Sequence, residues 1–207
     1  MRKLLSFFSI ILLLSGCAEE SKKQKKTSAS ITSPNGNLEV QFQLDNNGKP
    51  FYLVKKNNTT VIDTSYLGLK FKNHPALIQN FKIAEVTTAE ADETWEQPWG
   101  EQRVIRDHHK QLHLHLEETT DKSRKLNIIF KVFNDGVGFR YDIPQQEYLK
   151  GDLVISDEVT QFKLTNDHKS WWIPADYDSY EYTYSETKLS EIDAQKAGYA
   201  QRHDRNI

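Results

Sequence analysis

From Ile31 onward, apolar and polar residues alternate with a period of two for most of the chain, the spacing that puts one face of a β-strand toward a core. Leu38, Val40, Phe42 and Leu44 alternate with Glu39, Gln41 and Gln43, which predicts a half-buried strand. Asp45-Asn46-Asn47-Gly48 supplies residue types that tolerate positive φ, and Phe51 to Lys55 is the predicted partner strand. Asn57-Asn58 marks another turn before Thr59 to Ile62, and Tyr66 to Phe71 reads as the next strand. Farther on, Leu112, Leu114 and Leu116 alternate with His113, His115 and Glu117, and Leu126, Ile128, Phe130 and Val132 repeat the pattern. Asn134-Asp135-Gly136 is a tight-turn sequence leading back into Val137, Phe139, Tyr141 and Ile143. Val159, Phe162 and Leu164 predict a further strand, interrupted or bulged, that runs toward Trp171-Trp172-Ile173. No amphipathic helical pattern occurs before Leu189. Short strands with turn signals at about 8–12-residue spacing predict an all-β fold, a large antiparallel two-sheet sandwich, with a closed barrel as the alternative. Its core is expected to include Leu114, Phe130, Val132 and Phe139.

The first residues change the picture of where this fold works. Arg2 and Lys3 precede an apolar run from Leu4 to Leu14, too short for a spanning helix in the mature chain and suited to a secretory signal. The run ends Leu14-Ser15-Gly16-Cys17, which resembles a bacterial lipobox; the resemblance implies acylation of Cys17 and a lipid anchor in the bacterial cell envelope, periplasmic or outer-membrane side. Cleavage there leaves 207 − 16 = 191 residues whose body contains no further cysteine. Disulfides, zinc–thiolate sites and cysteine nucleophiles are thereby excluded. Residues 18–30 are polar, with Lys22, Lys23, Lys25 and Lys26 partly offset by Glu19 and Glu20, and read as a flexible tether. Loss of Arg2 and Lys3 takes the formal charge from −2 to −4, so nucleic acid is not an expected partner.

Candidate chemistry concentrates in a few segments. Trp171 to Tyr184 holds two indoles, four phenols and the carboxylates of Asp176, Asp178 and Glu181, a mixture suited to stacking on a sugar, to binding calcium, or to forming an amphipathic rim. Trp95-Glu96-Gln97-Pro98-Trp99-Gly100-Glu101 reads as a loop that either presents Trp and Glu to a ligand or plugs an open end of the sandwich. His108, His109, His113 and His115 have spacing compatible with a metal cluster, but the leucines occupy the core face of their strand, which leaves His113 and His115 to solvent. Asp176, Asp178, Glu181 and Glu186 are the carboxylates from which a hydrolytic pair could be drawn.

Three motifs in order carry a resemblance: Trp95 to Glu101, Val132-Phe133-Asn134-Asp135-Gly136-Val137-Gly138-Phe139-Arg140-Tyr141, and Trp171-Trp172-Ile173-Pro174-Ala175-Asp176-Tyr177 with Tyr180-Glu181. Together they resemble the N-terminal domain of glycoside hydrolase family 97, the α-glucosidases and α-galactosidases of bacterial glycan use, over residues 31–192. The resemblance implies a super-β-sandwich related to galactose mutarotase. It also implies that the catalytic carboxylates sit in a following (β/α)8 barrel of about 250 residues. Only 207 − 181 = 26 residues follow Glu181, so the chain is expected to be a fragment or truncated product, with 193–207 starting a linker and no catalytic residue of its own. Within that family Glu181 corresponds to the one ligand this domain lends to a calcium ion, and the partner is an α-linked oligosaccharide. The other expectation is a free-standing carbohydrate-binding or scaffold lipoprotein with Trp95, Trp99, Trp171 and Trp172 as stacking platforms.

Overall fold

The computed structural model describes residues 27–174 and 181–193. Twelve strands and one 3-10 turn are present among them. Strands β1 (Ser28–Thr32), β2 (Leu38–Leu44), β3 (Pro50–Lys56) and β4 (Thr59–Tyr66) form one antiparallel sheet in chain order. A second antiparallel sheet contains β6 (Phe81–Glu96), β7 (Val104–Glu118), β8 (Lys125–Phe133) and β9 (Val137–Asp142), again in chain order. The sheets face each other, β1 against β7 and β2 against β8, as a sandwich. Two small pairs complete the fold: β5 (Leu69–Phe71) with β10 (Ile155–Glu158), and β11 (Lys169–Trp172) with β12 (Ser185–Lys188).

The alternating apolar positions meet in this interior. Val40 and Phe42 from β2, Tyr52 from β3, Leu112 and Leu114 from β7, and Ile128, Phe130 and Val132 from β8 are all buried. Tyr52 packs on Phe130 and Phe139 with ring centroids 5.8 and 5.5 Å apart. Its hydroxyl donates to the Gln161 carbonyl at 2.9 Å, and burial pushes the phenol up to about 12. Phe139 is only partly buried, because β9 is the edge strand of its sheet.

Turn chemistry sets the strand ends. Gly48 has φ +68, and a Cβ there would lie 2.6 Å from the backbone nitrogen and oxygen of Phe81, so the β2–β3 turn needs glycine both for conformation and for close approach. The contact is a backbone ladder, Asn80 N–H to Asn47 O and Phe81 N–H to Gly48 O, that ties this hairpin to the start of β6. Asn57 and Asn58 both adopt positive φ in the β3–β4 turn. The turn tips Asn35 and Asn134 also meet, the Asn35 N–H donating to Asn134 Oδ1 at 2.9 Å.

Several elements differ from expectation. Tyr66 to Phe71 is not one strand: the chain breaks at Leu67-Gly68, where a Cβ on Gly68 would come within 2.8 Å of Ile78 Cγ2 and 2.9 Å of the Leu77 carbonyl, and β5 then leaves to pair with β10. The segment Val159 to Leu164 is not a regular strand either. It runs beside β4 through backbone bonds such as Asp63 N–H to Lys163 O and Gln161 N–H to Tyr66 O, with Phe162 and Leu164 exposed. Residues 81–111, little of which shows apolar alternation, form most of one long hairpin, β6–β7. The last departure is a buried ion pair. Arg124 donates from Nε and Nη2 to both carboxylate oxygens of Glu118, each at 2.6 Å, and also to the carbonyls of Pro75 and Ala76. This four-bond set fixes the β5–β6 connection against the β7–β8 turn and satisfies a charge that burial would otherwise penalise.

Candidate functional site

The aromatic–carboxylate segment is built on the β11–β12 hairpin. Register places Trp171 opposite Glu186 and Trp172 opposite Ser185. Trp171 Nε1 donates to Glu186 Oε2 at 2.9 Å, and Lys169 Nζ donates to Glu186 Oε1 at 2.5 Å while lying 5.7 Å above the Trp171 ring. The Lys169 bond holds the Glu186 carboxyl below its ordinary value. Glu186 therefore organises the hairpin, and its lone pairs are engaged there rather than directed at a substrate. Trp172 Nε1 donates to Thr187 Oγ1 at 2.8 Å. Both indole N–H groups thus serve the hairpin, while the Trp171 ring remains 62% exposed.

Glu181 is exposed and lies directly before Tyr182, which is buried. Asp176, Asp178 and Tyr180 lie outside the described residues. A calcium ion takes six to eight oxygen ligands. Among the described residues no three His, Cys, Asp or Glu side chains converge on a common point. An exposed carboxylate suits a hard cation as one ligand, so the residues present fit calcium only as contributors to a site completed by other groups.

The second aromatic cluster sits at the far end of the β6–β7 hairpin. Trp95 and Glu96 belong to β6, and the turn proper runs over residues 97–103. Gln97 shapes it, its N–H donating to the Arg103 carbonyl and its Nε2 to the Gln102 carbonyl. Trp99 is 84% exposed and Trp95 50%, so this tip does not plug the sandwich. Ion pairs brace the arm: Arg106 Nε and Nη2 donate to the two carboxylate oxygens of Asp92 at 2.7 Å each, and Arg103 Nε and Nη2 both donate to Glu96 Oε2 at 3.1 and 3.0 Å.

His109, His113 and His115 occupy the outer face of β7, as the alternation requires, but they are not simply solvated. His113 and His115 stack with ring centroids 4.1 Å apart. His115 Nδ1 donates to Asn127 Oδ1 at 3.0 Å, and Asn127 Nδ2 donates to Asp142 at 2.7 Å. His113 Nε2 is buried with no hydrogen-bond partner, and burial, with His115 beside it, pushes the imidazole below its ordinary value. His109 is buried against Phe133 and bonded to Asp107. His108 instead faces the other side, 3.4 Å from Glu90. The four do not form one cluster. Apolar strand neighbours such as Ile129 and Phe133 on the outer face account for the burial, and their presence among polar positions was the available signal.

Residues 31–202 match the family model for the glycosyl-hydrolase 97 N-terminal domain. Residues 1–18 match the prokaryotic membrane lipoprotein lipid attachment site, which marks a lipid-anchored protein of the bacterial envelope. A retaining α-galactosidase of Bacteroides thetaiotaomicron is 22% identical over 199 residues, covering 91% of this chain and 28% of that protein. A glycoside hydrolase family 97 enzyme from Pseudoalteromonas sp. strain K8, solved with panose, superposes with a TM-score of 0.73 at 36% identity, over 79% of this chain and 25% of that one. A β-arabinopyranosidase shares the fold, with a TM-score of 0.68 at 24% identity over 76% of this chain and 26% of that one. The chain spans about a quarter of the length of these relatives.

Proposed function

Because this chain belongs to the glycosyl-hydrolase 97 N-terminal family, we propose that its sandwich is the N-terminal module of a calcium-dependent α-glycosidase of glucosidase or galactosidase type. In this reading the module shapes the rim of the active site and lends Glu181 to the metal, while the catalytic carboxylates belong to a barrel of the kind the family resemblance implies. What supports it is Glu181, an exposed carboxylate ahead of β12 and next to the buried Tyr182, at the position the family motif gives to a metal ligand. Calcium held by Glu181 together with further ligands would supply positive charge to the bound sugar. The sandwich's own part is to orient one ligand and to leave the other coordination positions open. An α-linked oligosaccharide is the substrate this reading requires, and Cys17 carries the anchoring acyl groups.

The test is a graft. Residues 31–192 replace the corresponding module of the Pseudoalteromonas enzyme, and hydrolysis of an aryl α-glucoside is followed against calcium concentration. Calcium-dependent turnover is expected in the graft, with a fall of about tenfold or more in Glu181→Gln, which keeps the shape and removes the metal-binding charge. Equal calcium dependence in the two grafts would assign Glu181 a structural role and remove the reading's central residue. Anchoring is tested separately by growth with labelled palmitate. The wild-type chain should take label and fractionate with membranes, and Cys17→Ser should do neither; labelling of both alike would rule Cys17 out.

A further inference from the structure

We propose that the outer face of the β7–β9 sheet binds an acidic sugar, a hexuronate, in the groove between Phe133 and Arg140. This goes beyond the calcium reading and involves none of its residues. The groove is a cavity of about 450 Å³, within the roughly 300–1,000 Å³ usual for small-ligand sites. Gln111, Ile129, Lys131, Phe133, Gly138 and Arg140 line it.

Strand register builds the groove from two adjacent rows. Gln111 pairs with Lys131, which pairs with Gly138, and His113 pairs with Ile129, which pairs with Arg140. Gly138 is the gap in this surface: a Cβ placed on it meets nothing within 4 Å, so the hollow above the sheet exists because the residue opposite Lys131 has no side chain. The floor is Ile129, 5% exposed although it points away from the sandwich core, and Phe133 makes one wall. Such apolar surface accepts the C–H face of a pyranose.

Charge selects the ligand. The Arg140 guanidinium forms no hydrogen bond or ion pair among the described residues, so its planar fork is available for a carboxylate. Lys131 reaches Asp107 only at 3.7 Å, longer than a hydrogen bond. The carboxylates that β7, β8 and β9 carry on this face lie in other rows and are engaged: Asp107 with His109, Glu117 with Lys82, and Asp142 with Asn127; Glu85 and Glu93 lie beyond them on β6. The middle of the groove is therefore cationic over an apolar floor. Gln111 adds an amide that can both donate to and accept from ring hydroxyls. A carboxylate on a sugar ring meets all of these demands together; a neutral sugar leaves Arg140 unused, and a simple anion leaves the floor uncovered.

The full-length chain in detergent micelles is titrated calorimetrically with methyl glucuronide, methyl glucoside and acetate. Saturable binding of the glucuronide is expected, with the glucoside and acetate each weaker by about tenfold or more. Arg140→Gln should weaken glucuronide binding by about tenfold, and Gly138→Leu, which fills open space without backbone strain, should abolish it. Glu181→Gln should leave it unchanged, which separates this site from the calcium reading. Absence of saturable binding, equal affinity for glucoside and glucuronide, acetate as tight as glucuronide, or binding unaffected by Gly138→Leu would each overturn the proposal.

Discussion

Strands β6 and β7 pair from Phe81 opposite Glu118 out to Glu96 opposite Val104, yet the two ends of this hairpin are held by different forces. At the near end Leu112, Leu114 and Leu116 are fully buried against the other sheet, and each contributes about 1.5–3 kcal/mol by leaving water. At the far end the equivalent alternate positions are Asp92, Arg106 and Glu90, and the pairs they make are exposed to solvent. Water screens such pairs, so they contribute little to stability. The Arg106 guanidinium holds the Asp92 carboxyl below its ordinary value, a sign of pairing in a solvated place. One backbone geometry thus serves two purposes. Where a partner sheet lies beneath, alternation is apolar and gives stability; where none does, alternation becomes charged, and Trp95 and Trp99 are displayed at the tip.

The contrast can be broken from either side. Phe130 fills the interior beside Tyr52, so Phe130→Ala should lower the unfolding free energy by about 3–5 kcal/mol in urea titration. A loss below about 1 kcal/mol would mean that the interface between the sheets does not carry the fold. Arg106→Gln removes the arm's bidentate pair and should move the urea midpoint far less than Phe130→Ala does, with the difference shrinking further near 1 M salt. A cost matching that of Phe130→Ala would make the arm part of the core and erase the distinction.

The legible parts of the fold were those where a local period met a local turn. The β2–β3 and β8–β9 hairpins and the leucine run of β7 each combine period-two alternation with Gly, Asn or Asp at the reversal, and all formed as expected. The long arm was not legible beyond its tip because both of its faces are wet, and alternation then leaves no apolar trace. The break at Gly68 was hidden because Tyr66 to Phe71 alternates continuously; close packing against Leu77 and Ile78 decides it. The candidate site divides in the same way. Glu181 was identified through its motif with Tyr180, while Glu186, one of four equivalent-looking carboxylates, acquired its structural role only once Trp171 and Lys169 were seen opposite and beside it.

The sequence by itself determined which side of each regular strand is apolar, where the tight hairpins reverse, that the chain carries a lipoprotein signal, and that it belongs to a glycoside hydrolase family, because each of these is written in residues close together or in ordered motifs. Only the tertiary structure decided that β5 joins β10, that Arg124 neutralises Glu118 beneath two carbonyls, and that Gln111, Lys131 and Arg140 surround a hollow at Gly138. These juxtapositions link positions far apart in the chain. Alternation names the face of a strand but not its neighbour, and the neighbour is chosen by register and by the packing of the whole sandwich.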